Sequence, residues 1–262
     1  MKYRTMGTDP KTRREVSVLA LDTHLFGTVT SEATSLALLD RYVEAGGTFV
    51  DTAGNYAFWV NGTQGAHIDD PAVPLSQTVE AFAALVAEGT VGLLGASNHW
   101  AWRVERARTL AAAAGLPGYE VLEYQYSYLR PRTDLPGARS PDGMQGMLGG
   151  DLLSYLRAEP QLTAVAYTSL MRGGYVRPEK LQAAEFAEYD HPGTPARLAA
   201  LREVAKDAGA TVNQVVLAWL IGAQIPVIPV IGASSVTQLD ENLAAADLEL
   251  TAEQRARLDA AR

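Results

Sequence analysis

Gly47-Thr48-Phe49-Val50-Asp51-Thr52-Ala53-Gly54-Asn55-Tyr56 is a short apolar, β-branched run that ends in a carboxylate, with a phenol five residues beyond it. An apolar run without alternation is the pattern of a strand covered on both faces, as in a parallel sheet. Runs of the same kind recur at residues 16–21, 91–96, 121–125, 163–167 and 226–231. Between them lie amphipathic helical patterns at 31–45 (Leu36, Leu39 and Val43 on one face), 76–87 with Gly89 as its stop, 102–113, 152–157, 195–208, 211–221 and 235–245, and another begins at 251. Strand-helix alternation along the whole chain predicts an α/β fold, a (β/α)8 TIM barrel, as one domain over residues 1–262. No composition shift marks a linker. The Pro- and Gly-rich stretch 130–150 is the one long irregular segment, expected as a loop near the site.

Composition narrows the function. The chain has 262 residues, 47% of them hydrophobic, and a formal charge of −8 from 22 Lys and Arg against 30 Asp and Glu. An acidic surface without a basic block argues against nucleic acid as a partner. With no cysteine, neither a disulfide framework nor a thiolate metal site is available. Met1-Lys2-Tyr3-Arg4 lacks an apolar signal core, and no run reaches ~18 apolar residues, so a cytoplasmic protein without a membrane span is expected.

In a barrel of this kind the chemistry sits at the C-terminal ends of the strands. The polar residues there are Asp22 and Thr23, Asp51 and Tyr56, His67 and Asp69, Ser97-Asn98, Gln125, Tyr167-Thr168, and Gly232 with Ser234-Ser235. Asp, Tyr and His are the residue types that hand a proton to a carbonyl oxygen while a hydride arrives from elsewhere. A phenol is too weak an acid for this near pH 7 without neighbours that lower its pKa or relay the proton. Each residue also has a plainer reading: Asp51 as a turn cap, Tyr56, Phe58 and Trp59 as packing aromatics, and His24, His99 and His191 as structural groups. A metal site built on His24, His67, Asp69 and His99 is weak, since no His-x-His ends the first strand, and none is expected.

Taken together, these segments resemble the aldo-keto reductase family from Tyr3 to the C-terminus. The opening Lys2–Gly7 followed by Val16-Ser17-Val18-Leu19 is similar to the family's hairpin and first strand. Phe49 to Tyr56 resembles its second-strand Asp with the catalytic Tyr behind it, and His67-Ile68-Asp69-Asp70 its fourth-strand His. Gly95-Ala96-Ser97-Asn98 and Gln125 resemble the groups that hold the nicotinamide amide. Ala166-Tyr167-Thr168-Ser169-Leu170 resembles the segment whose aromatic stacks on the nicotinamide ring. Ile231-Gly232-Ala233-Ser234-Ser235 with Gln238, Glu241 and Asn242 resembles the phosphate and adenine loop. Independently, Gly232 permits close backbone approach, and the serines precede a helix whose N-terminus favours phosphate.

The resemblance implies reduction of an aldehyde or ketone with hydride from NADPH or NADH. Asp51, Tyr56 and His67 would be catalytic. Thr23, Ser97, Asn98, Gln125, Tyr167, Thr168, Leu170, Arg172, Gly232, Ser234, Gln238, Glu241 and Asn242 would bind cofactor. The partner would be a small carbonyl substrate. NADP is expected with NAD possible, since Ala233-Ser234-Ser235 offers hydroxyls and no cation for a 2′-phosphate.

Two departures stand out. The family's catalytic Lys ends strand 3, yet no lysine lies between Lys11 and Lys180. From Asp51 to His67 is 67 − 51 = 16 steps, enough for one return crossover at ~10–12 residues but not for two. Strand 3, its flanking helices and the start of strand 4 are therefore missing from this sequence, either left out of it or lost in a real deletion. Omission is the expectation, since every remaining part reads as intact and a real deletion would leave an open barrel edge. The absent Lys supports an alternative, a non-catalytic nicotinamide-binding or regulatory protein on the same barrel. The second departure is Asp22, where the family usually has Gly.

Overall fold

The computed structural model describes residues 1–53, 56, 72–134 and 143–262. The expected strand end at His67 and Asp69, and the aromatics Phe58 and Trp59, lie outside the described residues.

The chain opens with an antiparallel hairpin, β1 (Tyr3–Met6) against β2 (Arg14–Ser17), in register Tyr3↔Ser17. The barrel-type sheet starts only at β3 (Ala20–Asp22). The single strand expected over 16–21 is thus two strands. They are separated where the Ser17 hydroxyl donates to the Leu19 carbonyl (2.8 Å) and the Val18 N–H donates back to the Lys2 carbonyl (3.0 Å). Local side-chain hydrogen bonds of this kind compete with the ladder.

Six parallel strands follow in the order β4-β3-β8-β7-β6-β5, with β4 (Val50–Asp51), β5 (Leu94–Ser97), β6 (Tyr119–Gln125), β7 (Thr163–Tyr167) and β8 (Val227–Ile231). Strands 1 and 8 of a barrel lie side by side only when the sheet curls on itself, and β3 pairs with β8 here. Among the described residues, β4 and β5 are the two edges. The expected place of the missing strand 3 region is between them, so among the described residues the barrel is open there.

Helices α1 (Glu32–Glu44), α2 (Leu75–Ala87), α3 (Ala101–Ala113), α4 (Gly150–Ala158), α5 (Gly193–Asp207), α6 (Val212–Ile221), α7 (Val236–Leu243) and α8 (Ala252–Ala260) cover the sheet. Helix α6 is apolar nearly all round and is buried over Val215, Val216, Leu217, Ala218, Trp219 and Leu220. A capping box fixes its start, with the Thr211 hydroxyl and the Gln214 side chain satisfying each other's backbone N–H. Among the described residues, no helix is long and apolar enough to cross a membrane.

Helix α1 departs from the expected face. Leu36 and Val43 are 54% and 60% exposed, whereas Ser35, Leu38 and Tyr42 point inward. A count of aliphatic residues misplaces the stripe because the inward anchor is an aromatic with a polar tip. Tyr42 is fully buried, and its hydroxyl lies 2.8 Å from Ser17 Oγ, 2.7 Å from the Leu19 carbonyl and 2.8 Å from the Phe49 carbonyl. It thereby ties the starts of β3 and β4 to α1. Removing that hydroxyl in Tyr42→Phe leaves buried acceptors short of a donor, so urea unfolding should show a loss of about 1–3 kcal/mol with an unchanged m-value.

Coverage on both faces, expected of every strand, holds in the middle of the sheet: all of β8 and the first four residues of β7 are buried. It fails at the edges, where Val50 and Gly95 are exposed. An edge strand lacks the neighbour that would cover it.

Candidate functional site

The parallel register of β3 and β4 sets Asp22 opposite Asp51 at the strand ends. The Thr23 N–H and hydroxyl both donate to the Asp51 carbonyl (3.1 and 2.8 Å), which locks the two ends together. The His24 N–H donates to Asp22 Oδ1 (2.7 Å). Tyr56 returns over this rim, its hydroxyl donating to Asp51 Oδ2 at 2.6 Å and its ring meeting the His24 ring edge-on, centroids 5.0 Å apart. The Asp-Tyr pair read from the sequence is therefore in direct contact, with no third group between them.

The same interior holds a carboxyl that the strand-end survey passed over. Glu123 lies within β6, is the register partner of Ser97, and accepts the Asn98 N–H on its backbone carbonyl (3.2 Å). The signal was available: residues i and i+2 of a strand share a face, so Glu123 looks the way Gln125 does. Burial first, and then the charges of Asp51 and Asp22, push its carboxyl up to about 7. Asp22 and Asp51 are raised as well, chiefly by burial. Tyr56 is driven above the ordinary phenol value by burial and then by its bond to Asp51. A lysine would have reversed that direction.

On the opposite wall, the Tyr167 hydroxyl donates to Asn98 Oδ1 (2.6 Å) and Asn98 Nδ2 donates to Ser97 Oγ (2.8 Å), so three of the residues assigned to the nicotinamide form one chain of hydrogen bonds. Asn98 and Thr168 hold positive φ (60° and 57°), a strained backbone found where geometry is over-determined. Gln125 behaves differently. Its Nε2 donates to Tyr189 (3.2 Å), and it lines a cavity of about 420 Å³ with Tyr126, Leu129, Arg130, Met144, Met147 and Leu153. The 130–150 stretch expected as a loop near the site supplies much of that wall. Arg130 stacks over Tyr126 and Trp219, 4.9 and 5.4 Å from the ring centroids.

The phosphate-type loop follows β8. Ser235 caps α7 by accepting the Gln238 N–H (3.3 Å), while Gln238 Oε1 accepts from the Ser234 N–H and hydroxyl (2.8 and 3.0 Å). Glu241 accepts from the Thr211 hydroxyl (2.7 Å) and so faces α6. Asn242 is fully buried; its Nδ2 donates weakly to the Gly232 carbonyl (3.4 Å), and its Oδ1 has no hydrogen-bond partner among the described residues. Next to this loop, after β7, Arg172 pairs with Glu185 (2.7 Å), Lys180 donates to the Arg172 carbonyl (3.0 Å), and a β-carbon on Gly173 would meet Arg177 Nη2 at 3.4 Å and Lys180 Nζ at 3.7 Å. Three cations thus gather at the turn where the sequence singled out Arg172 alone.

A curled parallel sheet carrying its polar groups on one rim, with a helix N-terminus after the last strand, defines an α/β barrel-type protein with a rim site. Comparison makes the class specific: the Aldo/keto reductase family matches residues 64–262. The chain belongs to the aldo/keto reductase family. It is similar to an uncharacterized oxidoreductase of Mycobacterium tuberculosis (34% identical over 214 residues, 75% of this chain and 57% of the relative). It is also similar to an aldo-keto reductase of Strobilurus tenacellus (31% over 201 residues, 72% and 54%). A more distant relative is a putative voltage-gated potassium channel subunit beta of Schizosaccharomyces pombe (27% over 202 residues, 74% and 57%). The chain spans about half the length of the curated relatives it matches. Among solved structures, a thermostable aldo-keto reductase shares the TIM-barrel fold at TM-score 0.71, with 22% identity and full coverage of both chains.

Proposed function

We propose that the chain is a nicotinamide-dependent oxidoreductase that reduces an aldehyde or ketone to an alcohol, with Tyr56 serving the proton at the carbonyl oxygen. One observation carries this reading, the 2.6 Å contact between Tyr56 and Asp51 on the same rim as Ser97, Asn98 and Tyr167. When bound, the nicotinamide supplies the hydride.

The residues present fit such a group. Asn242 Oδ1 is buried without a partner beside the Gly232 loop, where an adenine amine would satisfy it. Ser234, Ser235 and the N-terminus of α7 suit the phosphates, with Arg172, Arg177 and Lys180 supplying the positive charge that Ala233-Ser234-Ser235 lacks. Thr168 and Leu170 shape the turn that presents Arg172. Ser97, Asn98 and Tyr167 would hold and face the nicotinamide, Thr23 supports Asp51, and His67 would orient the carbonyl. The cavity behind Gln125 offers an apolar substrate room of suitable size.

Titration with NADPH and NADH, followed by fluorescence, tests the reading, and binding of neither sinks it. Exchanging Arg177 and Lys180 for Ala should weaken NADPH about tenfold and leave NADH nearly unchanged, as expected of charges that face a 2′-phosphate.

A second reading, a non-catalytic nicotinamide-binding or regulatory protein on the same barrel, is favoured by the absence of a lysine from the described interior. It also has support from the relative named as a channel β subunit. It predicts cofactor binding without turnover on a broad carbonyl panel.

A further inference from the structure

We infer that the mouth of this barrel holds the oxidised, cationic form of its nicotinamide cofactor more tightly than the reduced, neutral form. The inference rests on the proposed function and specifies which cofactor state the site prefers.

The argument is one of charge. A nicotinamide ring is positive when oxidised and neutral when reduced. Around the place where Ser97, Asn98 and Tyr167 would receive it, the described interior presents three carboxyls from three strands: Asp22 on β3, Asp51 on β4 and Glu123 on β6. They feel one another, since Glu123 is coupled to both aspartates and Asp22 to Asp51. The carboxyl of Glu123 has no hydrogen-bond partner among the described residues that would spread its charge. Against them stand His24, coupled to Asp22 and Asp51, and Arg172, coupled to Asp22 and already paired with Glu185. Neither is a counter-ion for Glu123. A cation entering this space relieves the repulsion between the carboxylates, and a neutral ring does not.

The phenol is placed to pass a proton in either direction. Tyr56 spends its hydrogen on Asp51, which leaves the phenolic oxygen ready to accept. In the alcohol-to-ketone direction, the carbinol O–H bond breaks and its proton passes to the Tyr56 oxygen as the phenolic proton moves to Asp51. The C–H bond breaks with its electron pair leaving for the oxidised cofactor, and the carbonyl remains. Binding the oxidised ring more tightly than the reduced one makes the reduced cofactor a stronger hydride donor on the protein, so this electrostatic frame assists carbonyl reduction, with the proton returned by Tyr56 in the reverse of these steps.

The test is the ratio of dissociation constants for the oxidised and reduced forms of the same cofactor, measured by calorimetry on the wild-type chain at pH 8.5 and pH 5.5, and on Glu123→Gln at pH 8.5. Above about 7 Glu123 is ionised, and below it the carboxyl is neutral. At pH 8.5 the oxidised form should bind about tenfold tighter. That preference should shrink to about threefold or less at pH 5.5 and in Glu123→Gln, because one of the three charges is gone. Gln is nearly isosteric and removes a buried charge, so the variant should melt no lower than wild type at pH 8.5. The wild-type pH series needs no variant at all. Equal or tighter binding of the reduced form, or a ratio indifferent to both pH and the substitution, overturns the inference while leaving the proposed function standing. Binding of neither form overturns both.

Discussion

Tyr56→Phe should retain cofactor binding and lose turnover by about 10²–10⁴-fold, the range for removing a positioned general acid or base. The ring that packs edge-on against His24 is unchanged by the substitution, so the rim keeps its shape. What disappears is the hydroxyl that donates to Asp51 Oδ2 and that would meet the carbonyl oxygen in the proposed reaction. Asp51 also loses the hydrogen bond that lowers its pKa and stays buried, so its carboxyl moves further up. The residual activity should then decline toward lower pH at a higher midpoint than in the wild type. Steady-state rates on a panel of aldehydes, ketones and alcohols, with fluorescence titration of the cofactor alongside, separate the two effects. A Phe variant as active as its parent would remove the phenol from the reaction.

The strand ends carried most of the candidate site into view because a parallel barrel gathers them on one rim. That rule joined Asp22, Asp51 and Tyr56 with Ser97, Asn98 and Tyr167, although 5 to 116 residues separate the others from Asp51 along the chain. It passed over Glu123, because a search of strand ends does not look two residues back along the same face. It also passed over Arg177 and Lys180, whose approach to Gly173 depends on two consecutive residues, Met171 and Arg172, in the left-handed region (φ 49° and 50°). Apolar runs located the strands but not which of them would be edges, since that depends on the neighbour and not on the strand's own composition. The inward face of α1 escaped for a related reason: Tyr42 is polar by label and core by behaviour, and only its acceptors at Leu19 and Phe49 make its burial affordable.

Gly47→Ala should be the most damaging single-methyl change at the α1–β4 junction. The helix ends with Gly46 at φ 84°, and the Gly47 N–H donates to the Tyr42 carbonyl (2.9 Å), so the chain doubles back across the Tyr42 ring. A β-carbon at Gly47 would sit 2.3 Å from ring atoms Cε1 and Cζ of Tyr42. The ring has no room to yield. It is fully buried, and its hydroxyl is held by Ser17, Leu19 and Phe49. The backbone must move instead, and it is the backbone that leads through Phe49 to Asp51. We expect a loss of about 3 kcal/mol, at the upper end for overpacking, and a melting temperature lower by about 6–12 °C for a chain of this size. The Tyr56–Asp51 contact should suffer with it, so catalysis should fall even at temperatures where the variant is folded. Gly92→Ala is the matched comparison, because a β-carbon there meets nothing within 4 Å and its φ is unexceptional, and it should leave both melting and activity unchanged. If the two variants melt together, the Tyr42 ring is not the fixed wall against which β4 is placed.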